Sequence, residues 1–138
     1  MKRADINFTN EADASELDFE WEQFHETKNK VSYVKQHHVL GAYDSGELVG
    51  RLVFEILSGR AHIKDLIVKQ THRSKGIGTD LLRAFENFCK DEKCHKLTAR
   101  TTQHHTALEM YEKFGYTQEF VQKKDAFGWD WIWFYKFI

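Results

Sequence analysis

The 138 residues are 41% hydrophobic and 30% charged, an ordinary globular composition that excludes a fibre or a disordered chain and fits a single domain spanning residues 1–138. A formal net charge of −1 argues against nucleic acid as a partner, because phosphate-backbone binding demands a basic face. No apolar run approaches the roughly 20 residues that span a bilayer, and Met1-Lys2-Arg3-Ala4-Asp5 leads into no hydrophobic segment. Neither a membrane nor a secretory signal is therefore expected, and the location is read as cytoplasmic.

Every formal charge from Asp5 to Glu26 is negative. Within that stretch Leu17, Trp21 and Phe24 recur at helical spacing, so residues 12–27 read as an amphipathic helix or two short ones. A strand around 38–43, the turn Asp44-Ser45-Gly46-Glu47 and a β-prone run over 48–57 make a hairpin. Ser58-Gly59-Arg60 turns again into a strand over 61–68. Ile77, Leu81, Ala84, Phe85 and Phe88 then set a helix over 76–91, followed by a strand over 96–101. A shorter helix over 105–114 stops at Gly115, and two strands over 116–122 and 129–137 complete the chain. Strands, helix, strand, helix, strands make an α/β (α+β) domain, a mixed, mostly antiparallel sheet of about six to seven strands flanked by helices.

The segment from Asp65 to Thr79 carries the chemistry. A strand ends, a polar turn with two close glycines follows, and a helix begins. Unpaired N–H groups and the positive end of the dipole at a helix N-terminus bind phosphate oxygens. Glycine lets the backbone approach the anion, and Arg73 and Lys75 add charge. A Walker loop would need Lys then Ser or Thr after its last glycine, whereas Thr79-Asp80 follow Gly78. A dinucleotide fingerprint would need a small residue where Leu81 stands. The cysteines Cys89 and Cys94 read as reduced thiols, the first packed and the second exposed. His37-His38 and His104-His105 match no metal-ligand spacing, so no metal is expected.

The pattern Arg73-x-x-Gly76-x-Gly78 after the strand Leu66-Ile67-Val68 resembles the signature of the GCN5-related N-acetyltransferase (GNAT) superfamily. A second stretch, from Ala107 to Tyr116, resembles the family segment ending in Tyr-Glu-Lys-x-Gly-Phe, and the two lie in the family's order and spacing. Gln70, Ser74 and His104 depart from the residues common at their positions. The resemblance covers roughly residue 40 to the C-terminus and implies a sheet splayed between its fourth and fifth strands, with acetyl-CoA in the gap. It implies that the backbone of Leu66, Ile67 and Val68 meets the pantetheine and acetyl carbonyl. Arg73, Ser74, Lys75, Gly76, Ile77, Gly78 and Thr79 would hold the pyrophosphate, with His104 and Ala107 also at the cofactor. Tyr111 matches the tyrosine that gives a proton to the leaving sulfur.

Acetyl transfer also needs a neutral amine, and an amine with a pKa of about 10.4 must first lose a proton. Asp65 is the expected base. By simple alternation it shares a strand face with Ile63 and Ile67, with His62, Lys64 and Glu55 as alternatives. The expected reaction is acetylation of a primary amine of a small molecule; the acidic N-terminal segment reads either as a wall that attracts a cationic acceptor or as the solvated face of a helix. A protein or peptide acceptor and a non-catalytic acyl-CoA-binding module are the alternatives. Trp129, Trp131 and Trp133 alternate along the last strand, read first as core packing and second as a homodimer surface.

Overall fold

The computed structural model describes residues 4–29, 35–105 and 107–138, and the chain divides into two compact units, residues 1–33 and 34–138. In the first unit, the Asn10 side chain accepts from the Asp13 N–H at 2.7 Å and so caps the short helix α1 (Glu11–Ala14). A 3₁₀ turn over Ser15–Leu17 leads into α2 (Asp18–Asn29). Leu17 thus falls in the turn, while Phe19, Trp21 and Phe24 on α2 are at least half exposed. No helix among the described residues is long and apolar enough to cross a membrane.

The second unit is built on a six-stranded sheet: β1 (Lys35–Asp44), β2 (Glu47–Leu57), β3 (Arg60–Val68), β4 (Lys96–Thr102), β5 (Thr117–Gln122) and β6 (Trp131–Phe137), in the spatial order β1-β2-β3-β4-β6-β5. All pairs are antiparallel except β3–β4, which the helix α3 (Ile77–Asp91) joins as a crossover. Leu52, Phe54, Ile56, Ala61, Ile63 and Leu66 bury one sheet face against Leu81, Leu82, Phe85 and Cys89 of α3. Ala107 and Tyr111 of α4 (Ala107–Lys113) join the same core.

The structure departs from expectation at β3, at β6 and at Cys94. Lys64 is an extra residue between the pairs Phe54–Ile63 and Val53–Asp65, and this bulge resets the alternation of β3. Ile63 and Leu66 both face the core, which puts Asp65 on the opposite face, away from Ile63. On β6 it is Phe134 and Ile132 that join the core, so Trp131 and Trp133 line the other face, where Arg100 stacks 4.4 Å over Trp131. Cys94 is buried. Lys93 takes φ 60° just past α3, and its N–H and that of Cys94 reach back to the carbonyls of Lys90 and Cys89. That Schellman closure brings Cys94 back over the last turn, beside the equally buried Cys89, and both thiols are free.

Candidate active site

β3 and β4 pair only from Arg60–Lys96 to Ile63–Ala99, although β3 runs on to Val68 and β4 to Thr102. Beyond the Lys64 bulge β3 stays with β2, while β4 stays with β6, so the gap falls between the third and fourth strands of this six-stranded sheet and not between the fourth and fifth. The facing edges of residues 64–68 and 100–102 are therefore left without strand partners inside the sheet. A row of backbone donors and acceptors in that position is suited to an extended, amide-bearing ligand.

Where β3 ends, the chain turns through a short 3₁₀ segment (Gln70–His72) into α3. Arg73 donates its Nε–H to the Val68 carbonyl at 3.0 Å, which ties its side chain to the strand end. Ser74 and Gly76 then adopt φ of 61° and 86°. Gly76 precedes the first helical residue, and no side chain caps it. The first helical bond is Asp80 N–H to the Gly76 carbonyl at 2.9 Å. Among the described residues, no backbone carbonyl accepts from the N–H groups of Ser74, Lys75, Gly76, Ile77, Gly78 or Thr79. These consecutive free donors lie at the start of a 15-residue helix, beside the sheet gap, an arrangement suited to an anion. Leu66 is buried on the core face, Val68 is half-buried, and Ile67 points outward.

The second motif owes its geometry to the end of α4. Gly115, at φ 88°, donates to the Glu112 carbonyl, and Tyr116 N–H to that of Tyr111 at 3.0 Å. This Schellman closure lays the Tyr116 ring 5.4 Å from that of Tyr111, with Phe134 at 5.8 Å. Tyr111 is 2% exposed, and its hydroxyl bonds to no described residue. Burial pushes its phenol pKa upward, and the Asp65 carboxylate adds to the shift. Ala107, also buried, is capped at its N–H by His105 Nδ1 at 3.0 Å. His104 is exposed and packs its ring 5.0 Å from Trp129.

The candidate proton acceptors differ in occupancy. Both Asp65 oxygens receive the Arg51 guanidinium, at 3.0 and 3.3 Å, in a half-exposed pair. Glu55 is shared between Lys35 and Lys64. His62 stacks on Trp133 and bonds Thr98 Oγ1 at 2.8 Å. Burial, reinforced by the Arg60 charge, pushes its pKa down to about 4, which leaves a neutral, weakly basic ring. Among the described residues no group of His, Cys, Asp or Glu could hold a metal ion. Arg51 was not legible as a partner for Asp65, because only the bulge brings the two onto one face.

The family model for acetyltransferases of the GNAT family matches residues 5–116. A Bacillus subtilis (strain 168) protein named for N-acetylation of the alanine of ribosomal protein bS18 is 26% identical over 118 residues, covering 83% of this chain and 76% of its own. Among solved structures, an acetyltransferase from Bacillus cereus ATCC 14579 superposes with a TM-score of 0.83 at 20% identity over 98% of both chains. A GNAT family acetyltransferase from Elizabethkingia anophelis with acetyl-CoA bound superposes with a TM-score of 0.68 at 22% identity, over 74% of this chain and 76% of its own.

Proposed function

Because this chain belongs to the GNAT acetyltransferase family, with acetyl-CoA as its cosubstrate, we propose that it acetylates a primary amine of a small molecule by direct transfer. The observation that carries the site assignment is the run of free N–H groups from Ser74 to Thr79 beside the β3–β4 gap. In this reading those groups hold the pyrophosphate, with Lys75 adding positive charge. The unpaired edge of Leu66, Ile67 and Val68 takes the pantetheine amides and the acetyl carbonyl. Ala107 and His104 also meet the cofactor in this reading.

Asp65 takes the proton of the incoming ammonium, directly or through water, once a cationic acceptor competes with Arg51 for its oxygens. The freed amine nitrogen forms the C–N bond as the C–S bond breaks, and Tyr111 donates its phenolic proton to the departing sulfur. The buried Tyr111 phenol is protonated at neutral pH, as a donor must be. Asp65→Asn is expected to lower kcat/KM by about 100-fold while Kd for acetyl-CoA changes less than about threefold. Full turnover in the variant would remove Asp65 from the mechanism.

A second reading, acetylation of a peptide N-terminus, is favoured by the name of the Bacillus subtilis relative. Release of free thiol from acetyl-CoA, measured against a panel of small amines and an alanine-initiated peptide, tests both. Turnover confined to small amines supports the first, turnover confined to the peptide the second. Silence on both panels by protein that binds acetyl-CoA would sink the acceptor class altogether.

A further inference from the structure

We infer that the β1–β2 hairpin turn is a latch that positions the pyrophosphate-binding turn, with Asp44 and Glu47 as positioning residues for cofactor binding. The inference rests on the reading of residues 74–79 as the pyrophosphate site. Asp44 and Glu47 are cross-strand partners, joined by a two-residue turn in which Ser45 and Gly46 take φ of 50° and 83°. Like charges directly opposite each other at a hairpin end repel. Here each carboxylate is matched by a cation or donor from one segment, the stretch between β3 and α3. Lys69 Nζ meets Glu47 Oε1 at 2.5 Å, and His72 Nε2 meets Asp44 Oδ2 at 3.0 Å.

The other ring nitrogen of His72 bonds Thr71 Oγ1 at 2.8 Å, which fixes the orientation of the imidazole. With Thr71 as donor to Nδ1, the neutral ring still donates from Nε2 to Asp44, so the contact does not require a charged histidine. The Lys69 hydrogen bond and charge hold the Glu47 carboxyl below its ordinary range. Backbone contacts complete the attachment, with Lys69 N–H on the Val49 carbonyl at 2.7 Å and Arg73 Nε on that of Val68. Residues 69–73 are thus pinned to the hairpin and the strand end, and the free donors begin at the next residue. Where those donors point is set by where the pinned segment ends.

The sign of the effect separates this latch from plain electrostatics. Two carboxylates near an anion site repel the anion, so removing them should tighten binding if charge alone mattered. The latch predicts the opposite. In Asp44→Asn/Glu47→Gln, KM for acetyl-CoA should rise roughly five- to tenfold, as expected from losing two exposed polar pairs. KM for S-acetylpantetheine, which has no pyrophosphate, should shift less than about twofold. The charge-exchanged variant Glu47→Lys/Lys69→Glu should recover most of what Glu47→Lys alone loses. Unchanged or tighter acetyl-CoA binding in the first variant would overturn the latch, as would an equal rise in both KM values. If the unsubstituted protein fails to bind acetyl-CoA, the pyrophosphate reading and the latch fall together; normal binding with unaffected variants removes the latch alone.

Discussion

Gly76→Asp is expected to weaken acetyl-CoA binding by about 100-fold or more, whereas Gly76→Asn weakens it only a few-fold. Gly76 adopts φ 86° and ψ 4°, the left-handed region, and a Cβ built there meets nothing within 4 Å. Both substitutions therefore fit sterically and carry a similar backbone cost of about 1 kcal/mol, since Asp and Asn tolerate this conformation better than most residues. They differ only in charge. A carboxylate about 4 Å from a phosphate oxygen costs about 4 kcal/mol at an effective dielectric of about 20. Solvent at this exposed turn reduces that to roughly 2–3 kcal/mol, still about a hundredfold in Kd. Calorimetric titration with acetyl-CoA reads both variants, and thermal unfolding should show that they are equally stable. Equal losses from Asp and Asn would mean that the turn matters for its shape and not as an anion site.

How much of this was readable in advance depended on which residues carried a local signal. α3 announced itself through Leu81, Phe85 and Phe88 at helical spacing, and the strand before it through Leu66-Ile67-Val68, because burial on one side imposes a period. The end of α4 was legible because Gly115 occupies the left-handed position. The end of α3 uses the same closure with Lys93 in that position, a residue with no such preference, so the fate of Cys94 could not be read. The β3 bulge is marked by neither glycine nor proline. Lys64 is simply one residue too many for the register, and its consequences are non-local: it moves Asp65 to the Arg51 face, and the β3–β4 ladder stops next to it. Core membership on β6 likewise hinged on parity. Two interleaved apolar rows, Ile132 and Phe134 against Trp131 and Trp133, offer no polar row to decide between them.

Tyr111→Phe isolates the chemical step from binding and from folding. The variant should lose about 100-fold in kcat, within the range for removing a general acid, while Kd for acetyl-CoA changes less than about threefold. Stability should hold. The hydroxyl makes no hydrogen bond to a described residue, so its removal sacrifices no partner. The ring contacts with Tyr116 and Phe134 remain, which keeps the α4 end packed. A purely structural tyrosine would give the reverse pattern, a lower melting temperature with turnover falling only in proportion to folded protein. The leaving group supplies a sharper criterion. An acetyl thioester of a more acidic thiol departs without help, so the gap between Tyr111 and Phe should narrow with that donor. A gap of the same size for both donors would mean that Tyr111 does not protonate the sulfur, whatever the loss in kcat.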